Sequence, residues 1–334
     1  MRAIVLVGGF GTRLRPLTNV TPKQMLPIVH VPMIERVVGW LGGHGIDEVV
    51  LSLGYRPDAF LDRYPDDECG GVRMRYAVEP DPLDTAGAIG FAAAQAGLDD
   101  TFVVVNGDVL TDLDLGALVA FHRSCGAEAT ISLTQVDDPS RYGVVPIDDS
   151  GRVEAFVEKP PPGEAPTDWI NGGTYVCERS ILDRIPQGRP ASIEREVFPE
   201  MVAAGVLYAQ RSPAYWVDAG TPATYLHAQL DIIEGRRGEP EDGVAPDASV
   251  DPDAVVDHSV IMSRASVASG AVVRDSVVLP GAVIMPNARV EGSILGPGAV
   301  VGQGAVVGGL SVLGNGIEVP AGAAVDAARL PDGD

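Results

Sequence analysis

Hydrophobic and polar positions alternate along the first part of the chain between short apolar runs and longer amphipathic stretches. Short apolar runs are typical of buried strands, and stretches with a period of about 3.6 residues are typical of helices. The pattern predicts strands at 3–7, 48–52, 72–78, 101–105 and 129–135, and helices at 33–41, 57–64, 86–96 and 114–124. This alternation predicts an α/β fold with a Rossmann-like, mostly parallel sheet and helices on both faces.

A looser pattern follows and ends in a last predicted helix at 222–233. Short strands are predicted at 143–147, 153–157 and 173–177. Ser192 is expected to cap a further helix, because its hydroxyl can accept a hydrogen bond from the first turn. The residues 235–243 are charged and glycine-rich, and they are predicted to form a linker after a first domain at 1–234.

A six-residue repeat fills the remainder of the chain. Aliphatic residues recur at every sixth position, for example at Val244, Val250 and Val256. Each hexapeptide is too small to bury its own core, so such repeats stack on one another. The repeat predicts a left-handed parallel β-helix domain at 244–327. Turn irregularities are expected where the phase slips, near Met262, Pro280 and Gly296.

Charge narrows the kinds of partner that this chain can bind. The 334 residues carry a formal net charge of -22, which excludes non-specific binding to nucleic acid. Cations that bind a phosphate group must therefore be concentrated locally. Only Lys23 and Lys159 are lysines among the 24 basic residues, so a specific role is expected for both.

Cysteine usage and hydropathy bear on the compartment. The three cysteines show no metal-binding spacing and are odd in number, which favours a reducing cytoplasm. The first apolar run is too short for a signal peptide, and no stretch approaches transmembrane length. We therefore expect a cytoplasmic protein without a membrane partner.

The residues that follow the first predicted strand combine glycines with cations. They read Leu6-Val7-Gly8-Gly9-Phe10-Gly11-Thr12-Arg13-Leu14. Glycines let a bulky group approach the backbone and leave N–H donors free, and Arg13 and Lys23 favour an anionic group. The segment lacks the Gly-Lys-Ser/Thr ending of a Walker A loop, and Leu14 replaces the third glycine of a dinucleotide fingerprint. It therefore predicts a phosphate-binding loop of another type.

This loop resembles the signature of the sugar-1-phosphate nucleotidyltransferases, Gly-Gly-x-Gly-Thr-Arg-Leu followed by Pro-Lys, which is here Pro22-Lys23. Further matches follow in the order of that family at Asn106–Asp108, Glu158–Pro160, Asn171–Gly173 and Trp216–Thr221. The segments 79–87 and 192–199, with the β-helix behind them, resemble the mannose-1-phosphate guanylyltransferase-like branch.

The resemblance implies an enzyme that makes an NDP-sugar and pyrophosphate from an NTP and a hexose 1-phosphate. It implies catalytic roles for Arg13 at the leaving pyrophosphate, Lys23 at the α-phosphate and Lys159 at the sugar phosphate. The implied nucleotide-binding residues are Leu6, Gly8, Gly9, Gly11, Thr12, Arg13, Glu79, Asp84 and Gly107. The implied sugar-phosphate-binding residues are Gly143, Glu158, Lys159, Asn171 and Gly172.

Two aspartates complete the implied site. Asp108 follows the most apolar predicted strand, and Asp218 follows another short one. Two carboxylates together with phosphate oxygens form a natural Mg²⁺ site. The resemblance therefore implies Mg²⁺ as cofactor, with Asp108 and Asp218 as its ligands and Asp108 as a further catalytic residue.

Glu79 stands at the position from which the family reads the base. One carboxylate can accept both adjacent donors of guanine, whereas thymine and uracil offer one donor between two acceptors. This favours GTP, and the resemblance to the mannose-1-phosphate guanylyltransferase-like branch implies mannose 1-phosphate as the sugar substrate. Asp84 replaces a usual glycine beside this position, and Lys23-Gln24 resembles the thymidylyltransferase branch. A glucose-1-phosphate thymidylyltransferase or a uridylyltransferase therefore stays an alternative.

Two other classes of function are also open. The chain could be a catalytically silent regulatory subunit that binds an NDP-sugar, although its phosphate and metal motifs are intact apart from Asp84. An acyltransferase site in the β-helix would need a histidine base, and His258 is the one histidine of the repeats. The β-helix is instead expected to mediate a homo-oligomer.

Overall fold

The computed structural model describes residues 1–331 of the protein and forms two compact units. The first unit combines Met1–Gly9 with Ile34–Trp216, and the second combines Phe10–Met33 with the chain from Val217 onward. The units are defined by contacts, and they interleave along the sequence. The linear boundary expected from the sequence at 235–243 stays a prediction.

Helices and strands alternate through both units as far as 233. Helices α1 to α6 occupy Met33–Gly43, Asp58–Arg63, Asp84–Ala96, Leu115–Cys125, Phe198–Ala204 and Pro222–Ile233. Short segments of 3₁₀ or π-helix occupy Thr12–Leu14, Leu17–Asn19, Lys23–Met25, Pro139–Arg141, Arg179–Arg184 and Ile193–Val197. Strands β1 to β14 occupy Arg2–Leu6, Pro27–Ile28, Val31–Pro32, Glu48–Leu53, Glu68–Cys69, Val72–Val78, Phe102–Asn106, Val109–Thr111, Ala129–Gln135, Gly143–Val144, Val157–Glu158, Trp169–Cys177, Leu207–Arg211 and Trp216–Asp218.

A ten-stranded sheet organises the first unit. Its main order is β11–β10–β12–β7–β1–β4–β6–β5, with β9 joined to β12 and β13 joined to β9. The centre is parallel, because β1 pairs in parallel with β4 and β7, and β4 with β6. Ala3, Ile4 and Val5 of β1 are fully buried, as expected for a strand covered on both faces. The predicted α/β fold with a mostly parallel sheet is confirmed.

Strand β12 departs from the predicted parallel pattern. It lies antiparallel to both β7 and β9, with an irregularity between Asn171 and Tyr175. The direction of a strand depends on partners that are distant in sequence, so a local hydrophobic pattern does not reveal it. The loosely patterned segments also form shorter strands than predicted, since 143–147 contains only β10 and 153–157 overlaps only the start of β11.

Fifteen short strands of the second unit form the C-terminal stack. Strands β15 to β29 occupy Ser249–Val250, Val255–Asp257, Val260–Ile261, Ser266–Val267, Val272–Arg274, Val277–Val278, Val283–Ile284, Arg289–Glu291, Ile294–Leu295, Val300–Val301, Val306–Gly308, Val312–Leu313, Glu318–Val319, Ala324–Asp326 and Arg329–Leu330. They pair in parallel as three five-stranded sheets, which begin with β15, β16 and β17 and take every third strand. This is the left-handed parallel β-helix that the repeat predicted.

The coil length explains the slips in the repeat. Ser276 lies one coil above Ser259 and 17 residues after it, so this coil is one residue shorter than three hexapeptides, whereas Ile294 and Val312 of a later coil are 18 residues apart. Inward-facing Val273 and Val278 are five residues apart, whereas other sides of the coil keep the spacing of six. The phase slips expected near Met262, Pro280 and Gly296 fall beside these shortened sides.

A ladder of buried serines occupies the shortened corner. Ser276 donates its main-chain N–H to the hydroxyl of Ser259, and Ser293 donates in the same way to Ser276, both at 3.1 Å. Each hydroxyl also donates to a carbonyl of its own coil, so the buried polar groups are satisfied.

The structure also bears on membrane insertion. Within residues 1–331, no helix combines the length and the apolar character needed to cross a membrane.

Candidate functional site

The loop predicted to bind phosphate turns at Gly11, at the start of the second unit. Gly11 has a φ of 62°, and the 3₁₀ helix Thr12–Leu14 follows it. The Thr18 hydroxyl donates to the Gly11 carbonyl oxygen at 2.8 Å. A Cβ on residue 11 would lie 3.0 Å from Cγ2 of Thr18 and 3.2 Å from Cβ of Lys23. Glycine is therefore required here by both the backbone conformation and the close packing.

Three charged side chains of the second unit converge on Gly220. A Cβ on residue 220 would lie 2.6 Å from Oδ1 of Asp218 and 2.7 Å from Nη2 of Arg13. The same position would lie 3.3 Å from Nζ of Lys23. Arg13 Nη2 and Asp218 Oδ2 form an ion pair at 3.7 Å. The structure thus brings Arg13 and Lys23 of the phosphate-loop signature together with Asp218 of a distant motif.

The local charge of this cluster opposes the charge of the whole protein. Two cations, Arg13 and Lys23, face the single carboxylate of Asp218 in a chain of net charge -22. The side chain of Arg13 is 58% exposed, whereas that of Asp218 is 18% exposed and Lys23 is buried. A local excess of positive charge with an accessible guanidinium suits a phosphate group, whose oxygens accept charge-assisted hydrogen bonds.

Helix α6 holds the segment that follows Lys23. The Pro27 carbonyl oxygen accepts hydrogen bonds from the Tyr225 hydroxyl at 2.6 Å and from the Gln229 side-chain amide at 2.8 Å. Gln229 also accepts the main-chain N–H of Val29. Helix α6 begins directly after Gly220 with a capping box between Thr221 and Thr224. The same helix therefore fixes the chain on both sides of the charged cluster.

Glu79 lies in the first unit, with its carboxylate held at two points. Its Oε1 accepts the Ser52 hydroxyl at 2.8 Å, and its Oε2 accepts the main-chain N–H of Leu83 at 3.1 Å. A Cβ on Gly8 would lie 3.4 Å from the same Oε1. Each carboxylate oxygen can accept about two hydrogen bonds, so each keeps capacity for one more donor.

Asp84 begins helix α3 in a conformation that favours glycine. Its φ is 59°, in the left-handed region, and its Oδ1 accepts the main-chain N–H of Thr85 at 2.8 Å. A residue with a Cβ pays about 1–2 kcal/mol for this conformation. The replacement of the family's usual glycine at this position is therefore tolerated at a cost, partly offset by the local hydrogen bond.

Asp108 lies at the carboxyl end of β7 in the first unit. Gly107 precedes it, and the Gly107 N–H donates to the Leu6 carbonyl oxygen at 2.9 Å. A Cβ on residue 107 would lie 2.7 Å from Cγ1 of Val7 and 2.9 Å from the Leu6 carbonyl oxygen. Strand β1 pairs with β7 and ends at Leu6, and Gly8 and Gly9 come shortly after it. Ligands of parallel sheets bind at this edge.

The predicted sugar-phosphate residues form a second group of the first unit. Gly143 of β10 pairs with Glu158 of β11, and the Glu158 carboxylate forms an ion pair with Lys159 at 3.2 Å. A Cβ on residue 143 would lie 2.6 Å from the ring of Phe156 and 3.1 Å from Oε2 of Glu158. The side chain of Lys159 is 59% exposed, so its ammonium group is available to an anion.

Asn171 and Gly172 lie where β12 is irregular. The Asn171 side chain donates to the Tyr175 hydroxyl at 2.8 Å and accepts the Gly173 N–H at 2.9 Å. The indole N–H of Trp216 donates to the Gly172 carbonyl oxygen at 2.8 Å. Burial raises the pKa of the Tyr175 hydroxyl well above its usual range, so it stays a neutral hydrogen-bonding group. These fixed polar groups suit sugar hydroxyls, which need both donors and acceptors.

Sequence reasoning did not identify Ser52 and Glu194. Ser52 is fully buried and supports Glu79, and a lone polar residue in the run Val49-Val50-Leu51-Ser52-Leu53 was the available signal. The Glu194 carboxylate accepts the hydroxyls of Thr85 at 2.6 Å and Ser192 at 2.8 Å. Nothing local in the sequence links Thr85 with Glu194, because they are 109 residues apart.

The carboxylates of Asp108 and of Asp218 are hard oxygen donors, which is the type of ligand that Mg²⁺ prefers. Within the described part of the chain, no group of three or more His, Cys, Asp or Glu side chains forms a ready metal cage. Mg²⁺ usually binds through one or two carboxylates together with substrate phosphates, so Asp108 in the first unit and Asp218 in the second each carry a side chain of a type that suits this ion.

Two protein families match successive parts of the chain. Residues 2–235 match the family described as Nucleotidyl transferase, and residues 240–331 match the GMPPB C-terminal domain. The chain is 44% identical to the mannose-1-phosphate guanylyltransferase of Mycobacterium tuberculosis over 70% of its length, and 43% identical to the mannose-1-phosphate guanylyltransferase 1 of Arabidopsis thaliana over 68%. It spans 65% and 63% of the lengths of these relatives.

Solved structures resemble the chain over a similar extent. HddC from Yersinia pseudotuberculosis complexed with GMP-PN has 32% identity and a TM-score of 0.59, and covers 68% of this chain and 97% of its own. A putative glucose-1-phosphate thymidylyltransferase from Bacillus anthracis, in complex with a sucrose, has 27% identity and a TM-score of 0.63. That likeness covers 72% of this chain and 98% of the other.

The left-handed conformation of Asp84 predicts an order of stabilities. Asp84→Gly and Asp84→Ala both lose the bond to Thr85, but only glycine adopts a φ of 59° without strain. The glycine variant should therefore be more stable than the alanine variant by about 1 kcal/mol, measured by thermal or urea denaturation.

The same pair of substitutions at Asp62 is the control. Asp62 is exposed in helix α2, where alanine is favoured over glycine, so the order of the two variants should be reversed. An alanine variant of Asp84 as stable as the glycine variant would contradict the proposed strain.

Proposed function

This chain belongs to the nucleotidyl transferase family, and we propose that it converts GTP and mannose 1-phosphate to GDP-mannose and pyrophosphate. The observation that carries the proposal is the convergence of Arg13, Lys23 and Asp218 on Gly220. Two cations beside a carboxylate supply the charges that a reacting triphosphate and its metal ion require. We also propose that the protein forms a homo-oligomer and lies in the cytoplasm, as expected from the sequence. Neither property takes part in the reaction.

The proposed chemistry is an in-line transfer of the nucleotidyl group. An oxygen of mannose 1-phosphate forms a bond to the α-phosphorus of GTP, and the bond between the α-phosphorus and the bridging oxygen to the β-phosphate breaks. The electron pair leaves with pyrophosphate. A phosphate monoester with a second pKa of about 6 is largely ionised at neutral pH, so the nucleophile needs no general base.

Catalysis in this scheme comes from positioning and from charge neutralisation. We assign Arg13 and the loop N–H groups of Gly11 and Thr12 to the leaving pyrophosphate. Lys23 is assigned to the α-phosphate, because its ammonium is a compact point charge with rotatable donors. Lys159 is assigned to the phosphate of mannose 1-phosphate.

The sugar and the metal ion complete the assignment. Glu158, Asn171 and the backbone of Gly143 and Gly172 are proposed to bind the mannose hydroxyls. Asp108 and Asp218 are the residues that would hold Mg²⁺. When bound, the ion would neutralise charge on the phosphate oxygens.

The preference for guanine rests on Glu79. Its two oxygens each keep capacity for one donor after the bonds from Ser52 and Leu83, which suits the adjacent N1–H and N2–H groups of guanine. Thymine and uracil would bring carbonyl acceptors against the same carboxylate. We propose that Asp84, at the start of α3, lies at the margin of this base site.

The function is tested by product formation from mannose 1-phosphate with each of the five nucleoside triphosphates in Mg²⁺. GTP should give the highest kcat/KM, and Glu79→Gln should reduce the preference for GTP by about 10- to 100-fold, since an unpaired polar group costs about 1–3 kcal/mol. The glutamine is accommodated, because the Ser52 hydroxyl can turn toward the Ala88 carbonyl oxygen, 3.4 Å away.

Two results would contradict this account. Turnover with dTTP or UTP in preference to GTP would favour the thymidylyltransferase or uridylyltransferase alternative. GDP-mannose binding without turnover of any triphosphate would favour the silent regulatory subunit.

The role of Lys159 predicts a separation between the two substrates. Lys159→Ala should raise the KM for mannose 1-phosphate by about 10- to 100-fold, because it removes a charge-assisted hydrogen bond of about 1.5–3 kcal/mol. The KM for GTP should change little. Steady-state pyrophosphate release measures both constants.

Arg152→Ala is the matched control, because it removes a cation of similar exposure, 53% against 59%, from the same unit. It should leave both constants near those of the unmodified protein. Equal increases in the two KM values for Lys159→Ala would overturn the assignment.

A further inference from the structure

The terminal coil of the β-helix contacts the phosphate loop within the second unit. Arg329 of β29 donates from Nη1 to the main-chain carbonyl oxygen of Arg13 at 3.1 Å. Gly314, which follows β26, approaches Pro16 so closely that a Cβ on residue 314 would lie 3.1 Å from Cβ of Pro16. Two residues of the β-helix therefore touch the backbone turn that carries Arg13.

Arg329 breaks a regular column of the β-helix. The third sheet places Val260, Val277, Ile294 and Val312 in register one above another, and each is fully buried. Arg329 is the next residue in that register, paired with Val312, and it is the first polar one. Arg329 is exposed, unlike the four residues before it, so a guanidinium at this end of the column needs no buried partner and can reach the Arg13 carbonyl oxygen.

Gly314 also lies where the terminal coil approaches Pro16. Its N–H donates to the Leu330 carbonyl oxygen at 2.6 Å, and a Cβ would lie 3.1 Å from that oxygen and from Cδ of Pro331. At the same corner of the β-helix, Gly296 lies one coil below Gly314, and Leu279 lies two coils below it. Leu279 keeps a large, buried side chain at that corner. Residue 314 thus has little room for a side chain where Pro16 approaches.

We propose that the terminal coil of the β-helix positions the catalytic loop, with Arg329 as a positioning residue for Arg13. The guanidinium of Arg329 fixes the carbonyl oxygen of residue 13 and so limits the directions in which the Arg13 side chain can point. That side chain forms the ion pair with Asp218 and lies against Gly220. This inference rests on the proposed function for its kinetic consequence, but not for its structural one.

The structural consequence is measured by hydrogen–deuterium exchange of the full chain. Arg329→Met keeps an unbranched side chain of similar length but removes the donor, and it should speed exchange of the main-chain N–H groups of Leu14, Arg15 and Asn19 severalfold. Leu14 and Arg15 donate within the turn to Gly11 and Thr12, so they report its order directly. Arg329→Lys keeps a donor and should restore most of the protection.

The kinetic consequence is a selective effect on the triphosphate. Arg329→Met should raise the KM for GTP by about fivefold or more while leaving the KM for mannose 1-phosphate unchanged, since small displacements of a binding group cost large factors in rate or affinity. Gly314→Ala, whose Cβ would press on Pro16 as well as on Leu330 and Pro331 of the terminal coil, should produce the same selective effect.

Arg289→Ala removes an exposed arginine from another sheet of the β-helix and is the control for both measurements. Unchanged exchange in Arg329→Met would overturn the proposal, as would altered exchange with an unchanged KM for GTP. If the unmodified protein has no nucleotidyltransferase activity, the proposed function fails. Exchange and the binding of pyrophosphate, measured by calorimetry, then still decide whether Arg329 positions the loop.

Discussion

The charged cluster of Arg13, Lys23 and Asp218 depends on the absence of a side chain at Gly220. Arg13, Lys23 and Asp218 approach the same point in space, and each has an atom that would lie within 3.3 Å of a Cβ on residue 220. Any larger residue would have to displace the carboxylate or the guanidinium. The absence of a Cβ at residue 220 therefore lets two cations and an anion share one small volume, which is what a triphosphate with a divalent ion requires.

The phosphate loop is held in place by hydrogen bonds to the C-terminal part of the chain. Tyr225 and Gln229 of helix α6 hold the segment after Lys23 through the Pro27 carbonyl oxygen, and Arg329 holds the carbonyl oxygen of Arg13. The four aliphatic residues that precede Arg329 in its column are fully buried, which makes this sheet of the β-helix part of a packed core. In this account, the β-helix supports the phosphate loop.

The sequence predicted those features that depend on local chemistry. Strands β6 and β9 and helix α6 have the predicted bounds, because their hydrophobic period and their caps are encoded in neighbouring residues. The β-helix was recognisable because its core repeats along the chain. The 17-residue coils were visible only as phase slips, since one side of each of these coils is shortened.

Features that depend on distant partners were not predicted. The antiparallel direction of β12 follows from its pairing with β7 and β9. The bond from Arg329 to the Arg13 carbonyl oxygen spans 316 residues and involves an arginine that resembles many others in the sequence. For the candidate site, motifs identified residue types, and only the fold showed that Arg13, Lys23 and Asp218 meet.

The most direct test of the central claim is the rate of pyrophosphate release by Gly220→Ala, with Gly39→Ala as the control. A Cβ on residue 39 meets no atom within 4 Å, so that variant should keep its activity. Gly220→Ala should retain its melting temperature within a few degrees, because flexible side-chain ends can move aside. Its kcat/KM for GTP should fall by about 100-fold, the effect of misplacing catalytic groups by about 1 Å. Nearly unchanged activity in a folded Gly220→Ala variant would contradict the account.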